Sequence, residues 1–252
     1  MARFKQLKIK KPIHKRMSKR NLLLIIAAVA VVLAGAVFAI FQFHLFDSVG
    51  KESEKIETLG ISTKPISTEE RDSYQVTAEN PRYISIPAAG VDKARVIGIG
   101  VKAPNAAGQQ QMDEPDNTSD VGWYNCQINP VADKRCAEPT RPGGNNTKTS
   151  TVMDGHTCFS DKLTCVFDKL SSLKNGDKIS IELGNGSKIN YSIKKTEVLN
   201  LKDVDMAKAM VPIESGKEGL MIITCSGTYN GAKDANGVNT ASQRVLVYAS
   251  RD

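Results

Sequence analysis

Residues 221–227 read MIITCSG. An apolar, β-branched run ends on a thiol, Cys225, and Ser226-Gly227 breaks the pattern. A second run, RVLVYAS (Arg244–Ser250), follows after the long polar loop SGTYNGAKDANGVNTASQ. Antiparallel pairing of Leu220–Cys225 with Arg244–Ala249 sets the end of one strand beside the start of the other. Cys225 and Arg244 are then neighbours, although 18 residues separate them. Loops of that length in a compact domain are usually functional.

Working outward, the same short strand pattern recurs. RYISIP alternates and ends on Pro87; ARVIGIGV, VGWYNCQI and TKTSTVMDGH follow. KISIEL and KINYSIKKTEVL flank GNGS, a hairpin signal. VFDKLSSLKNGD and DVDMAKAM predict short helical pieces. Many short strands with brief helical inserts predict an all-β barrel or sandwich. No internal repeat, GxGxxG fingerprint or P-loop is present.

The formal net charge is +7 over 252 residues, but nine Lys/Arg and no acid lie in residues 1–20. Without that arm the rest carries −2, so the basic balance is no argument for nucleic acid. Leu22–Phe43 is uncharged and apolar, long enough to cross a bilayer as a helix of about 20 residues. The basic flank places the N-terminus in the cytoplasm and the remainder outside. The expected organisation is a basic arm 1–20, a transmembrane anchor 21–43, a polar stem 44–78 and an extracellular domain 79–252. A cleaved signal peptide ending at Ala34–Ala36 is the alternative; the apolar run past it, through Phe41 and Phe43, favours a retained anchor at the cell membrane.

An outside location permits disulfides. The five cysteines include two close pairs, Cys126 with Cys136 and Cys158 with Cys165, leaving Cys225 free. Crossed pairings of those four remain open at this level.

A thiol kept free at a strand end invites a catalytic reading. His156, just past the strand pattern VMDGH, is the only histidine in the extracellular part; His14 lies in the arm and His44 at the membrane edge. An imidazole can take the thiol proton, and a fixed guanidinium can hold an oxyanion. Cys225, His156 and Arg244 thus supply a nucleophile, a general acid/base and a clamp. Each also has an ordinary explanation: a packed cysteine, a surface histidine, a solvated arginine. The alternative of zinc bound by His156 and the cysteines fits none of the common ligand spacings.

Taken in order, these segments resemble the sortases, membrane-anchored cysteine transpeptidases of bacterial surfaces. TCSG followed by QRVLVYA is similar to the family's Thr-Cys strand end and Arg-led strand. VMDGHTCF and VFDKLSSLKNGDKISIEL resemble its Gly-His turn, Phe-x-x-Leu segment and Gly-Asp turn. RYISIPAAGVDKARV resembles its opening strand, and MDEPDNTSDVGWY the loop before the His strand in classes E and F. Asp154, before Gly-His, and the four extra cysteines depart from the family pattern.

The resemblance implies a sortase-like β-barrel and an LPxTG-like sorting signal, cleaved through a thioacyl intermediate on Cys225. It implies that His156 acts as acid/base, that Arg244 clamps the oxyanion or substrate, and that Thr224 lies at the substrate. The partners implied are secreted proteins with a C-terminal sorting signal and an amine acceptor on a cell-wall precursor or pilin, with no cofactor and no metal. Two other readings stand beside it. An L,D-transpeptidase acting on peptidoglycan carries an Arg two residues after its cysteine, where this chain has Gly227. A non-enzymatic adhesion or binding β-domain would bury Cys225.

Overall fold

The computed structural model describes residues 60–106, 111–128, 138–159, 163–229, 231–234 and 237–252. The basic arm 1–20, the expected span 21–43 and the first part of the stem lie outside them. No described helix is long and apolar enough to cross a membrane.

Eight strands form a closed barrel: β1 (Pro81–Ile86), β2 (Val91–Ile99), β3 (Val121–Tyr124), β4 (Thr151–Gly155), β5 (Lys178–Leu183), β6 (Lys188–Asn200), β7 (Gly219–Ser226) and β8 (Gln243–Arg251). Around the barrel they run β1-β2-β3-β4-β7-β8-β6-β5. The β2/β3 and β4/β7 pairs are parallel and the other six antiparallel. Two short α-helices, α1 (Thr68–Ser73) and α2 (Met206–Ala209), and three 3-10 turns complete the described elements. The all-β barrel with few short helices is therefore as expected, and closure decides between barrel and sandwich.

Alternation builds the interior. In β5 the burial pattern alternates, with Ile179, Ile181 and Leu183 inside. The GNGS turn joins β5 to β6 through a Leu183 N–H to Ser187 carbonyl bond of 2.8 Å. Trp123, Phe167, Leu170 and Tyr191 are the large side chains of the same core. Their polar ends are satisfied: Trp123 Nε1 donates to the Thr140 carbonyl at 2.9 Å, and the Tyr191 hydroxyl donates to Glu218. Glu218 is buried and also accepts from the Gly143 and Asn145 amides at 2.7 and 3.0 Å, with Arg251 at 3.2 Å. Burial and the neighbouring carboxylate push the Tyr191 phenol well above its ordinary range.

Residues 44–78 read as a stem from polarity alone, yet from Gly60 onward the segment is strapped to the barrel. The Ser62 amide donates to the Asp116 carbonyl at 2.7 Å, and the Ser62 carbonyl accepts from the Thr118 amide at 3.0 Å. The Tyr74 hydroxyl donates to the Val96 carbonyl at 2.8 Å, and Arg82 Nε to the Tyr74 carbonyl at 2.7 Å. A Cβ at Gly184 would sit 2.3 Å from the Thr77 carbonyl oxygen, so only glycine lets the strap pass the β5–β6 turn. Composition missed this docking because backbone and tyrosine hydrogen bonds carry it, not apolar residues. α1 opens on a capping box, with Ser67 and Glu70 each accepting the other's amide.

Candidate active site

The β7/β8 register pairs Leu220 with Ala249 and Cys225 with Arg244, as expected from the two runs. The strand continues one residue past the thiol, to Ser226. The parallel β4/β7 register pairs Thr151 with Leu220 and Asp154 with Ile223. One step further, Thr224 Oγ1 donates to the Gly155 carbonyl at 2.6 Å. His156 follows Gly155 directly and Cys225 follows Thr224, so both leave the strand ends that this bond joins. Thr157 Oγ1 lies 2.7 Å from Thr224 Oγ1, so two hydroxyls lock the two strand ends together. The three expected residues are thus brought to one barrel mouth, with Thr224 serving as the buried fastener beneath them.

The turn bearing His156 is braced from below. The Phe167 amide donates to the His156 carbonyl at 3.0 Å. A Cβ on Gly155 would lie 2.7 Å from Phe167 Cδ2 and 2.8 Å from Val166 Cγ1. Asp168 accepts from the Cys158 and Cys165 amides at 2.7 and 2.8 Å. The Cys158–Cys165 disulfide closes this loop as expected. Although both sulfurs and the Asp168 carboxylate approach one another, the sulfurs are bonded to each other and the carboxylate is held by two amides. Cys126 is disulfide-bonded, and its expected partner Cys136 lies outside the described residues.

His156 Nε2 lies 2.7 Å from the Pro115 carbonyl oxygen. A carbonyl only accepts, so Nε2 carries the proton there and a neutral ring keeps Nδ1 as its base. Arg244 is fixed by its own loop: one guanidinium nitrogen donates to the Ala241 and Gln243 carbonyls and the other to Thr240 Oγ1, all at 2.9 Å. Cys225 is free and half-buried. Burial pushes its thiol up; Arg244 pulls it down, Glu114 pushes it up, the Thr240 hydroxyl lowers it and Asp154 raises it. Burial wins, so the resting group is a thiol.

Glu114, Thr240, Thr157 and Asp154 were not legible as site residues. Asp154 was visible only as an unusual residue before Gly-His. Its Oδ1 is buried without a hydrogen-bond partner, and burial, with Glu114 and Asp113 nearby, holds the carboxyl well above the usual carboxylate range.

A closed barrel with a thiol, an imidazole and a guanidinium at one mouth is the outline of a thiol-dependent acyl-transfer enzyme. Residues 84–252 match the sortase domain family. The chain belongs to the sortases and is a cysteine transpeptidase. Solved structures similar to it include sortase C-1 from Actinomyces oris, at 18% identity and a TM-score of 0.43, covering 82% of this chain and 98% of that one. Sortase A from Corynebacterium diphtheriae is similar at 23% identity and a TM-score of 0.42, covering 82% and 83%. Sortase C1 from Streptococcus suis is similar at 19% identity and a TM-score of 0.42, covering 69% and 74%. No curated protein matches the chain.

Proposed function

We propose that the chain cleaves an LPxTG-like sorting signal at the outer face of the cell membrane and transfers the protein to a surface amine. The anchor at 21–43 would hold the enzyme as a single-pass protein with its barrel outside. Its substrates would be secreted proteins with a C-terminal sorting signal; its acceptor, an amine on a cell-wall precursor or pilin. The finer class we read is E/F-like, on the sequence of the loop 112–124, whose Pro115 carbonyl meets His156.

The Cys225–Arg244 register pair carries the reading, because it sets a free thiol beside a guanidinium held by three hydrogen bonds. His156 takes the Cys225 proton, and the thiolate attacks the threonyl carbonyl carbon. Arg244 faces the oxygen as it becomes an oxyanion. The carbon–nitrogen bond breaks, the leaving amine takes the proton from His156, and a thioester remains on Cys225. The incoming amine attacks that thioester and gives its proton to His156. The carbon–sulfur bond then breaks and the thiol is restored. The full-length chain, incubated with peptides varied around LPxTG plus an amine, is expected to give a thioester on Cys225 by mass spectrometry. Cys225→Ala is expected to abolish both adduct and cleavage while the protein stays folded. A thioester on any other cysteine overturns the assignment.

A further inference from the structure

Pro115 supplies the carbonyl that accepts from His156 Nε2, at 2.7 Å. A proline ring fixes its own φ and leaves no N–H to bond, so the aim of its carbonyl is set by the peptide that joins it to Asp116. What holds Asp116 lies outside the eight strands. The Ser62 amide donates to the Asp116 carbonyl at 2.7 Å and the Thr118 amide to the Ser62 carbonyl at 3.0 Å, so Ser62 and Asn117 form a parallel bridge. Asn117 is buried, and its side chain joins the two segments. Its Nδ2 donates to the Lys64 carbonyl at 2.9 Å, and its Oδ1 accepts from the Ser119 amide at 2.8 Å.

The other side of the same segment meets the histidine turn. The Thr118 carbonyl accepts from the Val166 amide at 2.9 Å, and the next amide, that of Phe167, donates to the His156 carbonyl at 3.0 Å. Residues 115–118 therefore lie between the strap and the histidine turn and are bonded toward both. Upstream, the Asp113 amide donates to the Gly100 carbonyl at 2.9 Å, which ties the near end of the loop to the chain just past β2. From Asp116 on, the strap takes over that task. The strap is itself fixed further along, where the Tyr74 hydroxyl donates to the Val96 carbonyl and the Tyr83 hydroxyl to the Arg71 carbonyl. A stem serving only as a spacer needs no bond to the segment that carries Pro115.

We propose that the strap is a positioning element of the active site, with Ser62 and Asn117 as its positioning residues. Through Asp116 they aim the Pro115 carbonyl at His156 Nε2. That bond keeps the proton of the neutral ring on Nε2 and leaves Nδ1 as the base. The proposal rests on the reading of His156 as the acid/base and adds that the barrel alone does not complete it. The segment that brings the chain onto the barrel also builds part of the catalytic turn.

The test uses the full-length chain and an LPxTG-like peptide. Ser62→Pro removes the N–H that Asp116 accepts; Ser62→Ala keeps both backbone bonds. Asn117→Asp keeps the acceptor for Ser119 and loses the donor to Lys64. Two readouts separate positioning from stability, both taken where each variant is fully folded: kcat against KM for cleavage, and the imidazole tautomer from nitrogen NMR, with His156→Gln identifying the signals. Wild type and Ser62→Ala are expected to show the Nε2–H tautomer. Ser62→Pro is expected to mix the tautomers and lower kcat about tenfold or more with KM little changed, since displacing a catalytic group by about 1 Å can cost on the order of 100-fold. Asn117→Asp is expected to act in the same direction, and it decides the matter if Ser62→Pro does not fold. A wild-type kcat in the folded variants, a loss confined to KM, or a lowered kcat with the tautomer unmoved overturns the positioning role. A wild-type chain that forms no Cys225 thioester overturns the transpeptidase reading instead, and the tautomer measurement still decides whether the strap aims the ring.

Discussion

Gly155→Ala tests whether the His156 turn is held by packing from beneath. The added methyl would lie 2.7 and 2.8 Å from two ring carbons of Phe167 and 2.8 Å from a methyl of Val166. Ordinary contact between carbons is about 3.5–4.0 Å, so three atoms must give at once. Phe167 is fully buried within the main core, and its amide is bonded to His156, so the ring cannot swing away freely. Overpacking of this kind costs about 1–3 kcal/mol. For a domain of this size that is a fall in Tm of roughly 2–12 °C, at about 2–4 °C per kcal/mol. The activity loss is expected to exceed the stability loss. A displacement of about 1 Å in a catalytic group can cost on the order of 100-fold, and His156 is the next residue. Calorimetry would read the first effect, and peptide cleavage at a temperature where the variant is fully folded would read the second. Alkylation of Cys225 is expected to stay near normal, since the thiol sits on β7. Adding Phe167→Leu is expected to restore part of both losses by freeing space. Wild-type Tm and rate for Gly155→Ala would refute the packing argument.

Three further outcomes follow from the site. Arg244→Lys keeps the charge but loses the planar fork whose two nitrogens reach two carbonyls and a hydroxyl; cleavage is expected to fall on the order of 100-fold, and a near-normal rate would move the clamp elsewhere. The raised Cys225 thiol loses its proton only above the usual thiol range, so alkylation by iodoacetamide is expected to climb through alkaline pH. Glu114→Gln, by removing a negative charge that favours the thiol, is expected to shift that climb to lower pH; an unchanged or upward shift contradicts the sign. Replacing Cys158 and Cys165 together by Ser opens a loop of separation 7 and is expected to cost about 2–3 kcal/mol, with Cys225 still acylated; an unchanged melting curve would show that the Asp168 bonds alone hold the loop.

The pairing of Cys225 with Arg244 was legible because both strands announce themselves locally. Each is an apolar run of matched length, and the long polar loop between them allows antiparallel return. The β5–β6 hairpin was legible for the same reason, with GNGS marking the turn. His156 was legible as a residue type but not as a neighbour. Its position depends on the parallel β4/β7 register, which joins segments 69 residues apart from Gly155 to Thr224 and leaves no local trace. The carboxylates of Glu114 and Asp154 were hidden likewise, because acids in a polar loop and beside a glycine read as ordinary surface.

The sequence alone settled what local periodicity and turn chemistry can encode: short alternating strands, the hairpin, and a thiol at the end of an apolar run. Only the tertiary structure decided that the barrel closes and that Thr224 bonds to Gly155. It alone decided that Pro115 meets the imidazole and that residues from Gly60 onward are strapped to the barrel. The physical reason is the range of the interaction. Side-chain periodicity acts within a strand, whereas register between distant strands, and hydrogen bonds from polar segments to the backbone, exist only once the core has brought them together.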